Sequence, residues 1–272
     1  MEGIVIYLVT GGFMVGGGIA FYCGFRQMHK YRLIKDIPRS KVRSIAMGLV
    51  EIHGQVKDGD AGNRLKSPFS QTDCVYYRYE IKEYRKHSSG RGKGSTHQWD
   101  TIASGERRMP FFAEDETGCV RIEPAEAEYS IAAKKAFLQK AGLFGGITSL
   151  IDSLRNWDHD PAEAVDISGL NLVPIDPEAT FTFFNRVGDR RYFEYYLEPG
   201  ENLFVMGTAA GDGQAPTSVV IRKGENQPTF IISNESEKNL LQSLKWQMIV
   251  NYVVGGAMIV MGVALLVHFS GR

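Results

Sequence analysis

Two charge-free stretches at the ends of the 272-residue chain constrain its fold more than any other feature. The C-terminal stretch runs from Met248 to Phe269 and the N-terminal stretch from Gly3 to Phe25, and neither contains Asp, Glu, Lys or Arg. A helix of about 20 apolar residues crosses the roughly 30 Å hydrocarbon core of a bilayer. We therefore predict membrane helices at 3–25 and 246–269, a basic linker at 26–43 and a soluble domain at 44–245.

The charges beside the two stretches predict an orientation. Basic residues follow the first stretch and precede the second, whereas the two ends of the chain carry almost no charge. The basic residues are Arg26, Lys30, Arg32, Lys35, Arg39, Lys41, Arg43, Lys238 and Lys245. Because basic flanks stay on the cytoplasmic side, we expect a cytoplasmic domain with both termini outside. The first stretch lacks a basic n-region and exceeds the length of a signal-peptide core, so we expect a retained anchor.

Small residues recur at helical spacing inside both stretches and are the candidates for helix packing, namely Gly12, Gly16, Ala20, Gly255 and Gly262. Small residues four apart let the backbones of two membrane helices approach closely. The spacing predicts that the two helices pack together or that they form a homo-oligomer with a second copy. Glycine is also common in membrane helices without any packing role, so that interpretation stays open.

Between the stretches, alternating patterns predict an α+β domain that is mostly antiparallel β. Residues 49–56 and 74–84 alternate apolar and polar side chains, and Glu116-Thr117-Gly118 predicts a hairpin turn. Further strands are predicted at 180–184, 191–197, 202–208, 218–223 and 229–233, and a short helix at 235–245 that leads straight into the second stretch. Residues 125–140 favour a helix, and a helical insertion is predicted over about 125–157. That insertion either covers the sheet or dips into the membrane interface.

The loop at residues 85–98 is glycine-rich and basic. Its cations are Arg85, Lys86, Arg91 and Lys93. The glycines lack the spacing of a phosphate-binding loop, so we predict a solvated hairpin tip. On an anionic membrane surface these four cations are possible headgroup contacts.

Composition and motifs do not indicate catalysis. The 31 basic and 31 acidic residues cancel, so no global field recruits nucleic acid. Three cysteines are too few for a disulfide framework, and no zinc, nucleophile-elbow or dinucleotide motif occurs. We therefore predict no catalytic, cofactor-binding or metal-binding residues and no cofactor. A cryptic enzyme remains a separate hypothesis, which a deep pocket with a perturbed carboxylate or histidine would favour.

Several short motifs arrive in an order that resembles a known family. They are SIAMGLVEIHGQV at 44–56, SPFSQTDCVYYRYEIKEY at 67–84, PFFAEDETGCVRIEP at 110–124 and YYLEPGENLFVMGTAAGDG at 195–213, with NQPTFIISNESEKNLL before the second stretch. The chain resembles the GIDE family, whose domain between two spans is called BAM, "beside a membrane". The family includes a mitochondrial ubiquitin ligase and has relatives in archaea and bacteria.

The resemblance implies a ligase-related domain, and it leaves the catalytic part in question. In the ligase the pattern continues beyond the second span into a RING finger, which needs about eight Cys or His ligands for two zinc ions. Only Ser270-Gly271-Arg272 follow here, so the resemblance assigns a role in ubiquitin transfer to no residue of this sequence. In the mitochondrial relative the domain lies between two membranes, which is an alternative to the cytoplasmic placement.

We expect a membrane-anchored, non-catalytic scaffold that binds membrane lipid and a protein partner, with exposed β-edges or loops as the binding surface. The alternative is the membrane half of a RING-type ubiquitin-transferase-like or proteolytic system whose catalysis resides on a separate chain.

Overall fold

The computed structural model describes residues 2–59, 63–88, 94–141, 170–178, 185–212, 215–225, 227, 229–235 and 237–270. The chain divides into two compact units. Residues 1–39 and 236–272 form a helical unit, and residues 40–235 form a β unit.

The helical unit contains two long helices, α1 (Glu2–Asp36) and α2 (Glu237–Ser270). Both are long and apolar enough to cross a membrane. Helix α1 continues past the predicted limit at residue 25, and it ends two residues before Pro38, whose ring cannot continue a helix. The short helix predicted at 235–245 begins at Glu237 and continues without a break into the second stretch, as predicted, so that both form α2.

An amide network joins the two helices. The side chain of Gln27 donates to Gln247 Oε1 at 3.0 Å, and Asn251 Nδ2 donates to Gln27 Oε1 at 3.0 Å. The Tyr252 ring packs 5.6 Å from the Phe21 ring. Side-chain amides that pair across helices fix their register in an apolar surrounding, where an unpaired amide is costly.

The described part of the β unit contains a 3-10 turn (Val42–Ser44) and the strands β1 (Gly48–Lys57), β2 (Leu65–Lys66), β3 (Asp73–Cys74), β4 (Tyr76–Ser88), β5 (Ser95–Arg108), β6 (Phe111–Asp115), β7 (Gly118–Ile122), β8 (Glu128–Ser130), β9 (Lys135–Gln139), β10 (Val173–Ile175), β11 (Arg190–Leu197), β12 (Asn202–Asp212), β13 (Ala215–Arg222) and β14 (Ile231–Ser233).

Five of these strands close into a barrel in the order β1-β6-β7-β13-β12, because β1 pairs with both β6 and β12. All pairs are antiparallel except β7 with β13, which run parallel. This is a five-stranded Greek-key barrel, the architecture of the OB fold. Alternate side chains fill its interior with a core of buried apolar residues, including Ile52, Val56, Phe111, Ile122, Val205 and Ile221.

A second, open sheet has the strand order β10-β9-β11-β4-β5 and is antiparallel throughout. One face of its central strands buries a tyrosine-rich core that contains Phe69, Tyr77, Tyr79, Ile81, Tyr192 and Tyr196. The rings of Phe69 and Tyr192 meet edge to face at 5.2 Å. The mainly antiparallel α+β fold class is therefore confirmed.

The helix predicted over 125–140 is wrong. Residues 128–130 form β8, which pairs with β14, and residues 135–139 form β9, which pairs with β11. Alanine favours a helix locally, but Ala136 and Leu138 are buried in strand register, and that pairing outweighs a weak local propensity. The rest of the predicted insertion, at 142–157, and the strand at 180–184 lie outside the described residues.

Candidate functional site

The candidate site is the outer edge of strand β5. Over the described strands β5 pairs only with β4, and none of its 14 residues is buried. A strand at the edge of a sheet presents unpaired N–H and C=O groups that can accept a further strand. The register of β5 shifts between its pairs with Ile81 and Lys82, and this bulge is a common device that limits unspecific edge pairing.

One backbone hydrogen bond shows which N–H groups of β5 point outward between Arg108 and the bulge. Met109 N donates to Val75 O at 3.2 Å, which makes Arg108 and Tyr76 a non-hydrogen-bonded pair. In such a pair both residues direct their backbone N–H and C=O groups away from the partner strand. Every second residue of β5 from Arg108 back to the bulge therefore directs its N–H group away from β4, and these residues include Ser104 and Glu106. The outer edge therefore offers backbone donors beside its exposed carbonyl groups.

The same orientation holds beyond the bulge. Tyr84 N donates to Asp189 O at 2.9 Å, on the side of β4 that faces away from β5. Tyr84 pairs with Trp99, so the N–H group of Trp99 also points to the outer edge.

One face of the sheet beside this edge is aromatic and cationic. The Arg191 guanidinium lies 4.4 Å from the centre of the Trp99 ring, and the Arg78 guanidinium lies 4.2 Å from that of Tyr195. The Tyr84 ring packs 5.2 Å from Trp99. Rigid aromatic rings with stacked cations are typical of residues that dominate binding interfaces.

The opposite face of the β4–β5 hairpin carries a network of polar side chains. His87 Nε2 lies 2.7 Å from Asp100 Oδ2, and Gln98 donates to Asp100 Oδ1 at 3.0 Å. These hydrogen bonds, led by that of His87, hold the pKa of Asp100 below its ordinary value. His87 on β4 is exposed, and its Nε2 also lies 3.3 Å from Gln98 Nε2 on β5, so these side chains connect the two strands. The network therefore stiffens the hairpin.

A buried carboxylate supports the sheet from behind. Glu194 on β11 is fully buried, and its Oε1 accepts from Phe69 N at 2.6 Å and from Ser70 N at 3.2 Å. The turn that it holds joins β2 to β3, and Gln71 there adopts a positive φ of 55°. Burial is the largest influence on this carboxyl and raises its pKa above the ordinary value.

The described residues contain no group of three or more His, Cys, Asp or Glu side chains that could hold a metal ion. Arg85 ion-pairs with Glu83 at 2.8 Å, and Lys86 is exposed. Arg91 and Lys93 lie outside the described residues. The lipid contacts of this hairpin tip stay a prediction.

The predicted packing residues of the helices have different surroundings. A Cβ atom on Gly255 would lie 3.2 Å from Ala20 Cβ, and one on Gly262 would lie 3.3 Å from Phe13 Cβ. A Cβ on Gly16 would overlap the methyl group of Met258, whereas one on Gly12 would meet no atom within 4 Å.

The sequence reading missed several functional candidates in both units. Gly17 lies beside the Gly12 and Gly16 pair and was not among the packing candidates, although its Cβ would lie 3.0 Å from the Gly255 carbonyl oxygen. Gln27 was not assigned a role. In the β unit the sequence reading did not assign roles to Ser104, Trp99 or Glu194. Glu194 lies in a predicted strand, but its partners were not visible, and the weak alternation around Trp99 and Ser104 did not indicate an edge strand.

A disulfide should form between α1 and α2 in the Ala20→Cys, Gly255→Cys variant, made in a Cys23→Ser, Cys119→Ser background. Disulfides need Cβ atoms about 3.5–4.5 Å apart, close to the separation of these two positions. Loss of maleimide-reactive thiols after mild oxidation measures it. The control pairs Ala20→Cys with Gly256→Cys, since a Cβ on Gly256 meets nothing within 4 Å. Equal oxidation of both variants would contradict this helix packing.

A family model described as "GIDE: E3 Ubiquitin ligase" matches residues 80–267. The match begins in β4, includes β5 and the barrel strands from β6 onward, and ends within α2. No curated protein and no solved structure matches the chain.

Proposed function

The chain belongs to the GIDE family, since the matched region covers more than half of it, and we propose that it is a membrane-anchored, non-catalytic module that recruits a protein partner. The observation that carries the proposal is the long, exposed edge of β5. An extended partner segment would add to this edge as a further strand, with main-chain hydrogen bonds supplying affinity and flanking side chains supplying specificity.

The two terminal helices support the anchoring. Each is long and apolar enough to span a bilayer, and large apolar side chains such as Leu8, Val15, Val253 and Val260 are exposed along them. In a bilayer these side chains would face lipid, where their exposure costs nothing. In this proposal the spans lie within 3–25 and 246–269, and residues 44–245 form the binding domain.

The surroundings of β5 support recognition of a partner. Trp99, Tyr84 and Arg191 form a preordered surface next to the outward-facing amides, so little side-chain entropy is lost on binding. The bulge divides the edge into two short segments, which favours one register of an added strand over others.

A second candidate function follows from the description of the family as an E3 ubiquitin ligase. In this case the chain is the membrane component of a ubiquitin-transferase-like or proteolytic system, and a separate chain carries the catalytic residues. Affinity capture under gentle conditions distinguishes the two functions, because only the second requires a RING or protease chain among the proteins recovered.

Ser104→Pro should reduce recovery of the partner at least roughly tenfold, the effect of about 1.4 kcal/mol in binding. Proline removes the outward N–H of Ser104 and leaves the bonds of β5 with β4 in place, as edge strands tolerate. The measurement is crosslinking and affinity capture of the full-length protein from its native membrane, with quantitative mass spectrometry of the proteins recovered.

Ser104→Ala is the matched control, because it removes the hydroxyl and keeps the backbone N–H. It should recover the partner as the wild type does. Equal recovery by both variants, or copurification of lipid without any protein, would overturn the proposal. Near-ultraviolet circular dichroism of the purified variants verifies that the tyrosine-rich core remains folded.

The basic flanks support a cytoplasmic placement of the β unit. Lys86→Cys in sealed cells should therefore resist an impermeant thiol reagent. Labelling of that cysteine, in a Cys119→Ser background, would place the domain on the other side.

A further inference from the structure

The barrel carries a cleft of about 650 Å³ that the β5 edge does not use. Its walls are the segment around the 3-10 turn, the outer face of β6 and β7, the last residue of β12 and the middle of β13. Ligand pockets commonly measure about 300–1,000 Å³. In OB folds, ligands bind on the face of the second and third barrel strands, and β6 and β7 hold those positions here.

The chemistry of the walls is apolar with cations at two points. Val42, Ile45 and Phe112 supply apolar surface, while Arg43 of the 3-10 turn and Arg121 of β7 supply guanidinium groups. Phe112 and Arg121 are cross-strand neighbours, so a ring and a cation stand side by side. Among the lining residues the two arginines outnumber the one carboxylate, Asp212. Arg121 Nη1 also lies 4.0 Å from Glu123 Oε1.

The wall formed by the 3-10 turn is fixed in place. Val42 N donates to Asp115 Oδ2 at 3.0 Å, and Arg43 N donates to Thr117 Oγ1 at 3.1 Å. Burial tends to raise the pKa of Asp115, but hydrogen bonds from Thr117, Val42 and Gly118 outweigh it and hold that pKa below its ordinary value. The carboxylate therefore stays charged at neutral pH and holds the 3-10 turn against β6.

We propose that this cleft binds a short acidic peptide segment, with a carboxylate held between Arg43 and Arg121 and a neighbouring apolar side chain placed against Phe112. Arginine forks match the geometry of a carboxylate, and an aromatic ring beside them accepts an aliphatic or aromatic side chain. The inference goes beyond the proposed recruitment at β5, because it assigns a different surface and a ligand of stated charge.

Cys119 provides a native probe, because it lines the cleft and is exposed, whereas Cys74 is buried. Burial and the neighbouring Glu114 raise the pKa of the Cys119 thiol, so exchange is best run at alkaline pH. The probes are 3-mercaptopropanoyl-Phe-Glu amide and its Phe-Gln counterpart, each as a mixed disulfide with 2-mercaptoethanol. The Cys119 thiolate attacks the disulfide, bonds to the peptide sulfur and releases 2-mercaptoethanol.

The full-length Cys23→Ser protein in detergent should capture the Glu probe about tenfold more than the Gln probe, as read by intact mass. Arg121→Gln should bring that ratio close to one, and Arg43→Gln should lower it as well. Arg43 is exposed, so its variant remains informative if Arg121→Gln fails to fold. Cys119→Ser should capture neither probe. Equal capture of both probes by the parent protein, or a ratio that neither arginine variant changes, would overturn the proposal.

A protection experiment separates a peptide ligand from a lipid headgroup. Acetyl-Glu-Phe-Glu-Ile amide should slow alkylation of Cys119 by iodoacetamide, and dihexanoyl phosphatidylglycerol below its micellar concentration should not. Protection by the lipid alone would contradict a peptide site. Ser104→Pro should leave both readouts unchanged, so failure at the cleft and failure at the β5 edge are distinguishable.

Discussion

Gly54→Ala should destabilise the barrel by about 3 kcal/mol or more, the upper end of the cost of overpacking a core. A Cβ atom at this position would overlap the carbonyl oxygen of Glu114 and lie 2.9 Å from its carbonyl carbon. Both atoms belong to the backbone of β6, so no side-chain rotation relieves the overlap. The melting temperature, followed by circular dichroism in detergent, should fall by roughly 10 °C.

Gly54 lies where β1 leaves one partner and joins another. It pairs with Leu203 of β12, and the next residue, Gln55, pairs with both Asn202 and Glu114. Glycine in a strand often marks such a close approach of backbones at a barrel corner. The substitution therefore opposes closure of the barrel as well as local packing.

Gly211→Ala is the matched control, because this glycine also lies in a barrel strand and an added Cβ meets no atom within 4 Å. It should leave the melting temperature within a few degrees of the wild type. Similar losses for both variants would mean that the loss at Gly54 does not come from contact at the corner, because Gly→Ala by itself lowers the entropy of the unfolded chain and does not destabilise.

The strands most visible in the sequence are those whose environment is local. Residues 76–84 alternate between the tyrosine-rich core and the solvent, and β6 and β7 are joined by a turn with Gly118 at its end. Barrel closure was not visible, because it depends on β1 meeting β12 across about 150 residues of sequence. Periodicity identifies the buried face of a strand and leaves its partners undetermined.

The same limit applies to the candidate site. Trp99 and Ser104 lie in a segment that alternates weakly, since neither face of β5 is fully buried. An edge is defined by the lack of a further strand beside it in the described sheet, which no local pattern encodes. The cleft beside Arg121 likewise requires the turn at Val42 to reach Asp115, a contact between residues 73 apart.

Glu194→Ala should cost about 2–5 kcal/mol, because it leaves one buried and one half-buried backbone N–H group without an acceptor. The groups belong to Phe69 and Ser70, and the carboxyl that they contact has no exposed surface. Near-ultraviolet circular dichroism of the tyrosines during thermal unfolding measures the loss. Glu80→Ala is the control, since Glu80 lies on the opposite face of β4 and pairs with Lys82 at 3.3 Å near the surface, where an ion pair contributes about 1 kcal/mol or less.

The pH dependence distinguishes the carboxyl from a neutral acceptor. Because burial raises the pKa of Glu194 in the folded state, folding favours its protonated form. The stability from this group is fully present below the unfolded pKa, near 4.3, and is lost as pH rises through the folded pKa. Glu194→Gln keeps an oxygen for the Phe69 N–H and does not titrate. Relative to this variant, the wild type should therefore lose stability as pH rises above about 4. A wild type that instead loses stability relative to the variant as pH falls would contradict the raised pKa of Glu194.

This titration bears on the binding edge, because the turn held by Glu194 packs Phe69 against Tyr192 and Tyr79, the core on which β4 lies. β4 is the one described neighbour of β5, so the position of the edge depends on that core. Glu194→Ala should therefore weaken partner capture along with stability, whereas Ser104→Pro should weaken capture alone. Capture that survives in Glu194→Ala at a temperature where its tyrosine signal has melted would show that the partner binds elsewhere than on β5.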